Sequence, residues 1–321
     1  MTMTRRSFIA AGAAGIGLAA AGAGAIGGTR SAAKGGAPGG GGPEEMAARK
    51  IPRTGEKLPV IGLGTWRTFD VSQAEEERAP LLEVLRRFLD AGGRVIDTSP
   101  MYGRAEEVVG ALLAKLSPGP SAPAPFLATK VWTGGRIAGE AQVRESMRRL
   151  RAQRLDLMQV HNLLDWEEHL PAMREGKAAG RFRYIGVTHY APSAFPELER
   201  ILRGEKLDFV QLPYSAAARE AEGRLLPAAA ETGTAVLVMR PFEEGELFRM
   251  VKGRALPAWA KELGAASWAQ VFLKFILSHP AVTAVIPATA KPEHVSENVR
   301  AGFGPMPDAA LRKRMAAELR F

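Results

Sequence analysis

The stretch Arg94-Val95-Ile96-Asp97-Thr98-Ser99-Pro100-Met101-Tyr102-Gly103 decides how this chain is read. Val95 and Ile96 make a short apolar strand that ends in a carboxylate. A turn follows, and then a tyrosine five positions after the carboxylate. An isolated carboxylate taken out of water is costly, so Asp97 needs a cation or several hydrogen-bond donors.

Strand and helix patterns alternate on both sides of this stretch. Upstream, Ile51 to Gly64 reads as a hairpin running into a first strand, with Thr54-Gly55-Glu56-Lys57 as its turn. Glu75 to Ala91 has helical spacing, with Leu81, Leu82, Leu85, Phe88 and Leu89 on one side and Gly92-Gly93 as its stop. Downstream, helices are predicted over Glu106–Leu116, Gly139–Arg151, Trp166–Ala179, Pro196–Arg203, Ala221–Glu231, Ser267–Ser278 and Pro292–Arg300. Strands are predicted over Phe126–Thr129, Leu155–Val160, Tyr184–Val187, Phe209–Gln211, Ala235–Met239 and Ala284–Ile286. Pro118 to Pro125 is a proline-rich loop, and the pattern gives no path for Ala301 to Phe321. Eight strand–helix units over about 240 residues predict an α/β fold, a closed (β/α)8 TIM barrel with an N-terminal β-hairpin, rather than an open doubly wound sheet.

A chain of 321 residues, 46% hydrophobic, is long enough to bury a large core. Its net charge of +9 includes Arg5, Arg6 and Arg30 near the start. The remaining basic residues, such as Arg148, Arg149, Arg151 and Arg154, are spread over helix faces, which reads as solvated surface and not as a nucleic-acid patch. The absence of cysteine excludes disulfides, thiolate metal sites and a cysteine-linked lipid anchor. His169, His279 and His294 lack metal-ligand spacing, so no metal is expected.

Thr4-Arg5-Arg6-Ser7-Phe8-Ile9, followed by a run of Ala, Gly, Ile and Leu to Gly28, has the pattern of a signal peptide. It resembles the twin-arginine signal that exports folded proteins. Ala23-Gly24-Ala25 and Ser31-Ala32-Ala33 are candidate cleavage sites. The alternatives are an uncleaved anchor and a chance tail. The run is more dilute in apolar residues than a typical spanning helix, so no membrane span is expected after cleavage. The expected organisation is a signal at 1–33, a Gly/Ala/Pro linker at 34–48 and a barrel at 49–321. The expected location is the periplasm or another exported compartment, with the twin-arginine machinery as a partner.

Four polar residues fall just past consecutive strand ends: Asp97 and Tyr102, then Lys130, then His161. In such a barrel the carboxyl ends of adjacent strands form the active face. Lys130 is the natural partner of Asp97. A tyrosine beside that lysine is expected to have its pKa drawn down and to donate a proton to a carbonyl oxygen. A neutral histidine can hydrogen-bond the same oxygen. Taken singly, each residue has a plainer reading: a rim ion pair, a loop tyrosine, a core histidine. Trp66, Trp132 and Trp166 suit either an apolar substrate pocket or loop packing. Met158 and Gln159 read as ordinary strand residues.

Gly62-Leu63-Gly64-Thr65-Trp66, Ile96 to Gly103, Ala128-Thr129-Lys130-Val131-Trp132 and Asp156 to His161 resemble the aldo-keto reductase family. The resemblance covers about residues 50–300. It implies an NAD(P)H-dependent enzyme that transfers hydride to an aldehyde or ketone, with Asp97, Tyr102, Lys130 and His161 as the catalytic tetrad. It also implies NADPH lying extended across the barrel face. Gly64, Thr65 and Trp66 would then meet cofactor, and Trp66, Met101 and Trp132 would line the substrate pocket. Thr188, His189 and Gln211 would face the nicotinamide carboxamide. Met239-Arg240-Pro241 stands where many members have an aromatic, a serine and a proline, with Arg240 approaching the pyrophosphate. Thr289, Lys291, His294, Glu297 and Asn298 fall in the adenosine-phosphate segment. Ala288 and His294 occupy positions that are often Lys and Arg, so NADH stays open beside NADPH, and Lys291 is the candidate for the 2′-phosphate. Two rival readings stand: a non-catalytic nucleotide-binding redox sensor or partner subunit, and a barrel hydrolase using Asp97 with Glu106.

Overall fold

The computed structural model describes residues 45–116 and 124–319. The leader, most of the linker and most of the proline-rich loop lie outside the described residues. The first element is a hairpin, β1 (Ala48–Lys50) antiparallel to β2 (Lys57–Pro59). Its turn is where the sequence places it, closed by the Ile51 amide on the Glu56 carbonyl at 2.8 Å, with Gly55 at φ 76°. The first strand lies upstream of Ile51. Ile51 and Leu58 are fully buried and join the cluster inside the barrel, with Val95, Phe126 and Phe209. The hairpin is therefore a plug in one end of the barrel.

Eight parallel strands follow in consecutive spatial order. They are β3 (Leu63–Gly64), β4 (Val95–Asp97), β5 (Phe126–Val131), β6 (Leu155–His161), β7 (Phe182–Thr188), β8 (Phe209–Pro213), β9 (Ala235–Met239) and β10 (Val282–Val285). The ring closes between β10 and β3: Ile61 bridges Val285 and Gly64 bridges Ala288, and the Gly62 amide donates to the Val285 carbonyl at 2.8 Å. The expected (β/α)8 barrel is thus the observed architecture.

The helices are α1 (Glu75–Asp90), α2 (Ala105–Lys115), α3 (Arg136–Arg149), α4 (Trp166–Ala178), α5 (Phe195–Gly204), α6 (Leu225–Thr232), α7 (Glu246–Met250), α8 (Trp268–Leu277), α9 (Pro292–Arg300) and α10 (Ala309–Glu318). Periodicity located all but α7 and α10. The first is five residues long, and the second buries only Met315, so neither carries an apolar stripe. Polar contacts hold the C-terminal segment instead. Arg312 donates to the Phe275 carbonyl at 2.8 Å and pairs with Glu222 at 2.6 Å. Buried Lys274 donates to the carbonyls of Phe303 and Pro305 at 2.7 and 2.9 Å. Among the described residues no helix is long and apolar enough to cross a membrane.

Strand alternation sorts the side chains. Val95, Phe126, Leu157, Tyr184 and Phe209 fill the lower interior. Two residues further along, the same inward face carries Asp97, Gln159, Gly186 and Gln211. Gly186 is the tight point, since a Cβ there would sit 2.5 Å from the Phe209 carbonyl oxygen. Neighbouring strand backbone cannot give way as a side chain can. Gly186→Ala is expected to lower stability by about 1–3 kcal/mol, read as a lower urea midpoint with unchanged slope. A midpoint equal to wild type would refute this packing.

Candidate active site

Asp97 ends β4, Lys130 is next to last in β5, and His161 ends β6. Register steps them along adjacent strands: Asp97 pairs with Ala128, two residues before Lys130, and Lys130 pairs with Gln159, two residues before His161. Asp97 is 2% and Lys130 1% exposed. Lys130 Nζ donates to Asp97 Oδ2 at 2.6 Å and to the Thr98 carbonyl at 2.8 Å. Gln159 Nε2 donates to Asp97 Oδ1 at 3.2 Å, and Gln211 Nε2 to Oδ2 at 3.1 Å. Thr65 Oγ1 donates to the Asp97 carbonyl at 3.0 Å. The carboxylate therefore has its cation and its donors.

Tyr102 is held by a turn, its amide on the Ser99 carbonyl at 3.0 Å. Lys130 Nζ lies 5.0 Å from its ring centroid, and the ring meets His161 edge-on at 5.8 Å. The expected fall in the Tyr102 pKa does not occur. Burial raises it, Lys130 opposes, and Asp97 adds to the rise, so the net direction is upward. Tyr102 is a protonated phenol at neutral pH. Burial pulls Lys130 downward, but Asp97 and then Tyr102 outweigh it and leave the ammonium raised. His161 is held down to about 3 by burial, then by Lys130 and His189, so it is neutral. Its Nδ1 lies 3.0 Å from Ser99 Oγ, which already accepts the Met101 amide at 3.3 Å. That hydroxyl has its proton to give to Nδ1, and this favours the tautomer with hydrogen on Nε2.

A cavity of about 1100 Å³ opens above these residues, lined by Asp97, Tyr102 and His161. Gly64, Thr65, Trp66, Met101, Trp132, Thr188, Gln211, Met239, Arg240, Pro241, Thr289, His294, Glu297 and Asn298 also line it. Glu244 bridges its rim, 3.0 Å from both Arg67 and Arg240.

The aldo/keto reductase family model matches residues 60–313. The chain belongs to the aldo/keto reductase family. Its members are NAD(P)H-dependent oxidoreductases. The chain is 30% identical over 208 residues to the aldo-keto reductase YhdN of Bacillus subtilis, covering 60% of this chain and 61% of that relative. It is 25% identical over 309 residues to L-glyceraldehyde 3-phosphate reductase of Escherichia coli, covering 80% and 88%. An aldo/keto reductase of Klebsiella pneumoniae in complex with NADP and acetate superposes with TM-score 0.69 at 27% identity, covering 83% of this chain and 93% of that one. Another structure from that organism, in complex with NADPH, gives 0.70 at 26% identity, covering 86% and 95%.

In this aldo/keto reductase Asp97, Lys130, Tyr102 and His161 come together at one end of the barrel. Two nucleotide candidates stand apart from the cavity wall. His189 lies beside it, stacked on Tyr190 with centroids 5.4 Å apart, and Lys291 is exposed ahead of α9. Trp166 is also outside the wall, beneath Arg200 at 5.2 Å. Gln159, read as a plain strand residue, is a ligand of Asp97. The signal was its place two residues before His161, on the same inward face. Ser99, Asn162 and Tyr190 were also missed, because loop residues have no periodicity to betray them.

Glu106 does not pair with Asp97. It is fully buried on the outer side of β5, accepting from Thr129 Oγ1 at 2.6 Å and lying 3.9 Å from Arg149. The paired-carboxylate hydrolase reading fails on that placement.

His161 sets a pH dependence. The unfolded chain binds a proton near pH 6.5 that the folded site refuses until about pH 3, so stability falls as pH falls below 6.5. His279, lowered to about 4 by burial and Arg312, acts with the same sign. Between pH 7 and pH 5, His161 alone is expected to cost roughly 2 kcal/mol. Urea midpoints at the two pH values should show this drop in wild type and a smaller one in His161→Gln. Equal drops would rule it out.

Proposed function

We propose that this chain reduces aldehydes or ketones with NADPH or NADH, with Tyr102 as proton donor. The observation that carries the reading is a protonated tyrosine on a cavity wall, between a buried Lys130–Asp97 pair and a neutral histidine. When bound, the nicotinamide supplies the hydride that adds to the carbonyl carbon. The Tyr102 hydroxyl gives its proton to the carbonyl oxygen, yielding an alcohol. Lys130 stabilises the phenolate left behind, and Asp97 keeps Lys130 charged. Nε2–H of His161 donates to the same oxygen and fixes the carbonyl plane.

The cavity suits a nicotinamide nucleotide. Thr188 Oγ1 and Gln211 Oε1 are buried without partners at paired positions of adjacent strands, matching the donors and acceptors of a carboxamide. Gln211 serves Asp97 with one end of its amide and leaves the other for the ligand. The buried Nε of Arg240 also lacks a partner and suits a pyrophosphate oxygen. Met239 and Pro241, with Gly64, Thr65 and Trp66, line the same cavity and would hold the nicotinamide ring. Thr289, His294, Glu297 and Asn298 would take the adenosine end. Lys291 and His189 would serve from just outside the wall.

The decisive assay mixes the mature protein with NADPH and a panel of small aldehydes and follows cofactor absorbance. Tyr102→Phe should lower kcat by about 10²- to 10⁴-fold while nucleotide binding persists. Because the Tyr102 pKa is raised, the alkaline loss of reduction should begin above the ordinary tyrosine range. Tight nucleotide binding with no turnover of any carbonyl compound would assign the redox sensor instead.

The same proposal extends to location. The twin arginine Arg5-Arg6 and its apolar run support export in folded form, carrying the nucleotide already bound, since a soluble NADPH pool belongs to the cell interior. Cell fractionation should find wild type in the periplasm with nucleotide bound, and Arg5→Lys/Arg6→Lys retained inside. Wild type retained in the cytoplasm would sink the export reading.

A further inference from the structure

Glu106 is fully buried, yet it takes no part in the reduction proposed above. Its Oε1 accepts from Thr129 Oγ1 at 2.6 Å, but its Oε2 is buried without a hydrogen bond. Arg149 stands 3.9 Å away and is committed to Glu145 at 2.7 Å. A buried carboxylate so poorly paired destabilises a fold, and an apolar side chain of like volume would serve packing at least as well. Holding the fold together is therefore a poor account of this residue.

Its place is more telling. Thr129 and Lys130 are neighbours on β5 and point to opposite faces, Lys130 toward the cavity floor and Thr129 toward the helices. Glu106 lies in the first turn of α2, and the Ala105 amide that opens this helix donates to the Tyr102 carbonyl at 3.1 Å. One hydrogen bond outside the barrel thus ties the helix that follows the Tyr102 turn to the strand that carries Lys130. Helix α2 also lies close on α3, since a Cβ at Gly110 would sit 2.2 Å from the Arg149 carbonyl oxygen. Inside, the Lys130 ammonium is fixed by Asp97 and the Thr98 carbonyl and lies 5.0 Å from the Tyr102 ring centroid. The lysine is held without help from Glu106. What Glu106 can set is where the tyrosine stands against it.

We propose that Glu106 is a positioning residue: through its hydrogen bond to Thr129 it fixes Tyr102 relative to Lys130 from behind the strand. This rests on the reductase reading above. Neither Glu106 nor Thr129 lines the cavity, so the effect falls on proton transfer and not on binding. A misplacement of a reacting group by about 1 Å can slow a reaction about 100-fold.

The test measures kcat and KM for a small aldehyde, the dissociation constant of NADPH and the urea midpoint. Glu106→Met keeps the bulk and removes the acceptor, and it should lower kcat by about 10- to 100-fold with KM and the NADPH constant within about twofold of wild type. Thr129→Val, which removes the donor, should act alike and stands in if the methionine variant does not fold. Glu106→Gln and Thr129→Ser keep one acceptor or one hydroxyl in place and should recover most of the wild-type kcat. A wild-type kcat in Glu106→Met or Thr129→Val, with only the urea midpoint changed, makes Glu106 a packing residue and overturns the proposal. So does a Glu106→Gln variant as slow as Glu106→Met, since the bond would then not be the cause. Either result leaves the reductase reading standing. No turnover of any carbonyl compound by wild type overturns both.

Discussion

Lys130 and Asp97 meet at 2.6 Å in a place that water scarcely reaches, and an ion pair so placed is expensive to assemble. Its cost is offset only if every remaining lone pair and proton is matched. The barrel does this by drawing on several strands at once: Gln159 from β6 and Gln211 from β8 for the carboxylate, and the Thr98 carbonyl beyond β4 for the ammonium. A two-strand ribbon could not supply three partners from three directions. Closure of the ring is therefore a condition for the charge pair, and the seam at Gly62 and Gly64 supports the site as much as the residues in it.

That pair then acts on its neighbours against a background set by burial. At His161 burial and the Lys130 charge point the same way, and the imidazole is driven far below its usual range. At Tyr102 they oppose one another and burial wins. Both outcomes leave a neutral donor facing the cavity at neutral pH. In the proposed reduction the lysine's contribution is thus better described as stabilising what forms after proton transfer than as ionising the tyrosine beforehand. Local sequence suggested the opposite because it shows that Lys130 is near Tyr102 but not how little water surrounds them.

The barrel was legible because its strands are continuous apolar runs and most helices carry a stripe, as α1 does with Leu81, Leu85 and Phe88. Asp97, Lys130 and His161 were legible because they interrupt those runs at strand ends. Helix α10 was not, since it docks through Arg312 and Glu318, and charged residues give no direction. Its position matters for function. The cavity lining ends at Asn298, so among the described residues the C-terminal segment adds nothing to the cavity wall. Gln211 shows a further limit: one residue holds Asp97 and still offers an amide oxygen, a double role that a motif cannot display.

Two of those loops carry backbone strain. Asn162, Leu163 and Asp165 have φ of 53°, 57° and 47° immediately after His161, and Arg240, Glu243 and Glu244 have 55°, 49° and 54° after β9. Left-handed conformations at residues other than glycine cost of order 1 kcal/mol each, and they persist where surrounding contacts fix them. Asp165 is fixed by the Gly135 amide, 2.8 Å from its Oδ2, and Glu244 by its two arginines. Each strained run places a side chain on the cavity wall, Asn162 in one case and Arg240 in the other. Both side chains also hold a buried polar atom with no partner. Strain and unmet hydrogen bonding at the same residues are two costs to the unliganded fold, and a ligand that supplies the missing partners recovers the second of them. The folded chain is thus less than fully satisfied by itself at the loops, while its ion pair is fully satisfied at the floor. That difference separates the part of the site that must stay fixed from the part that binding completes.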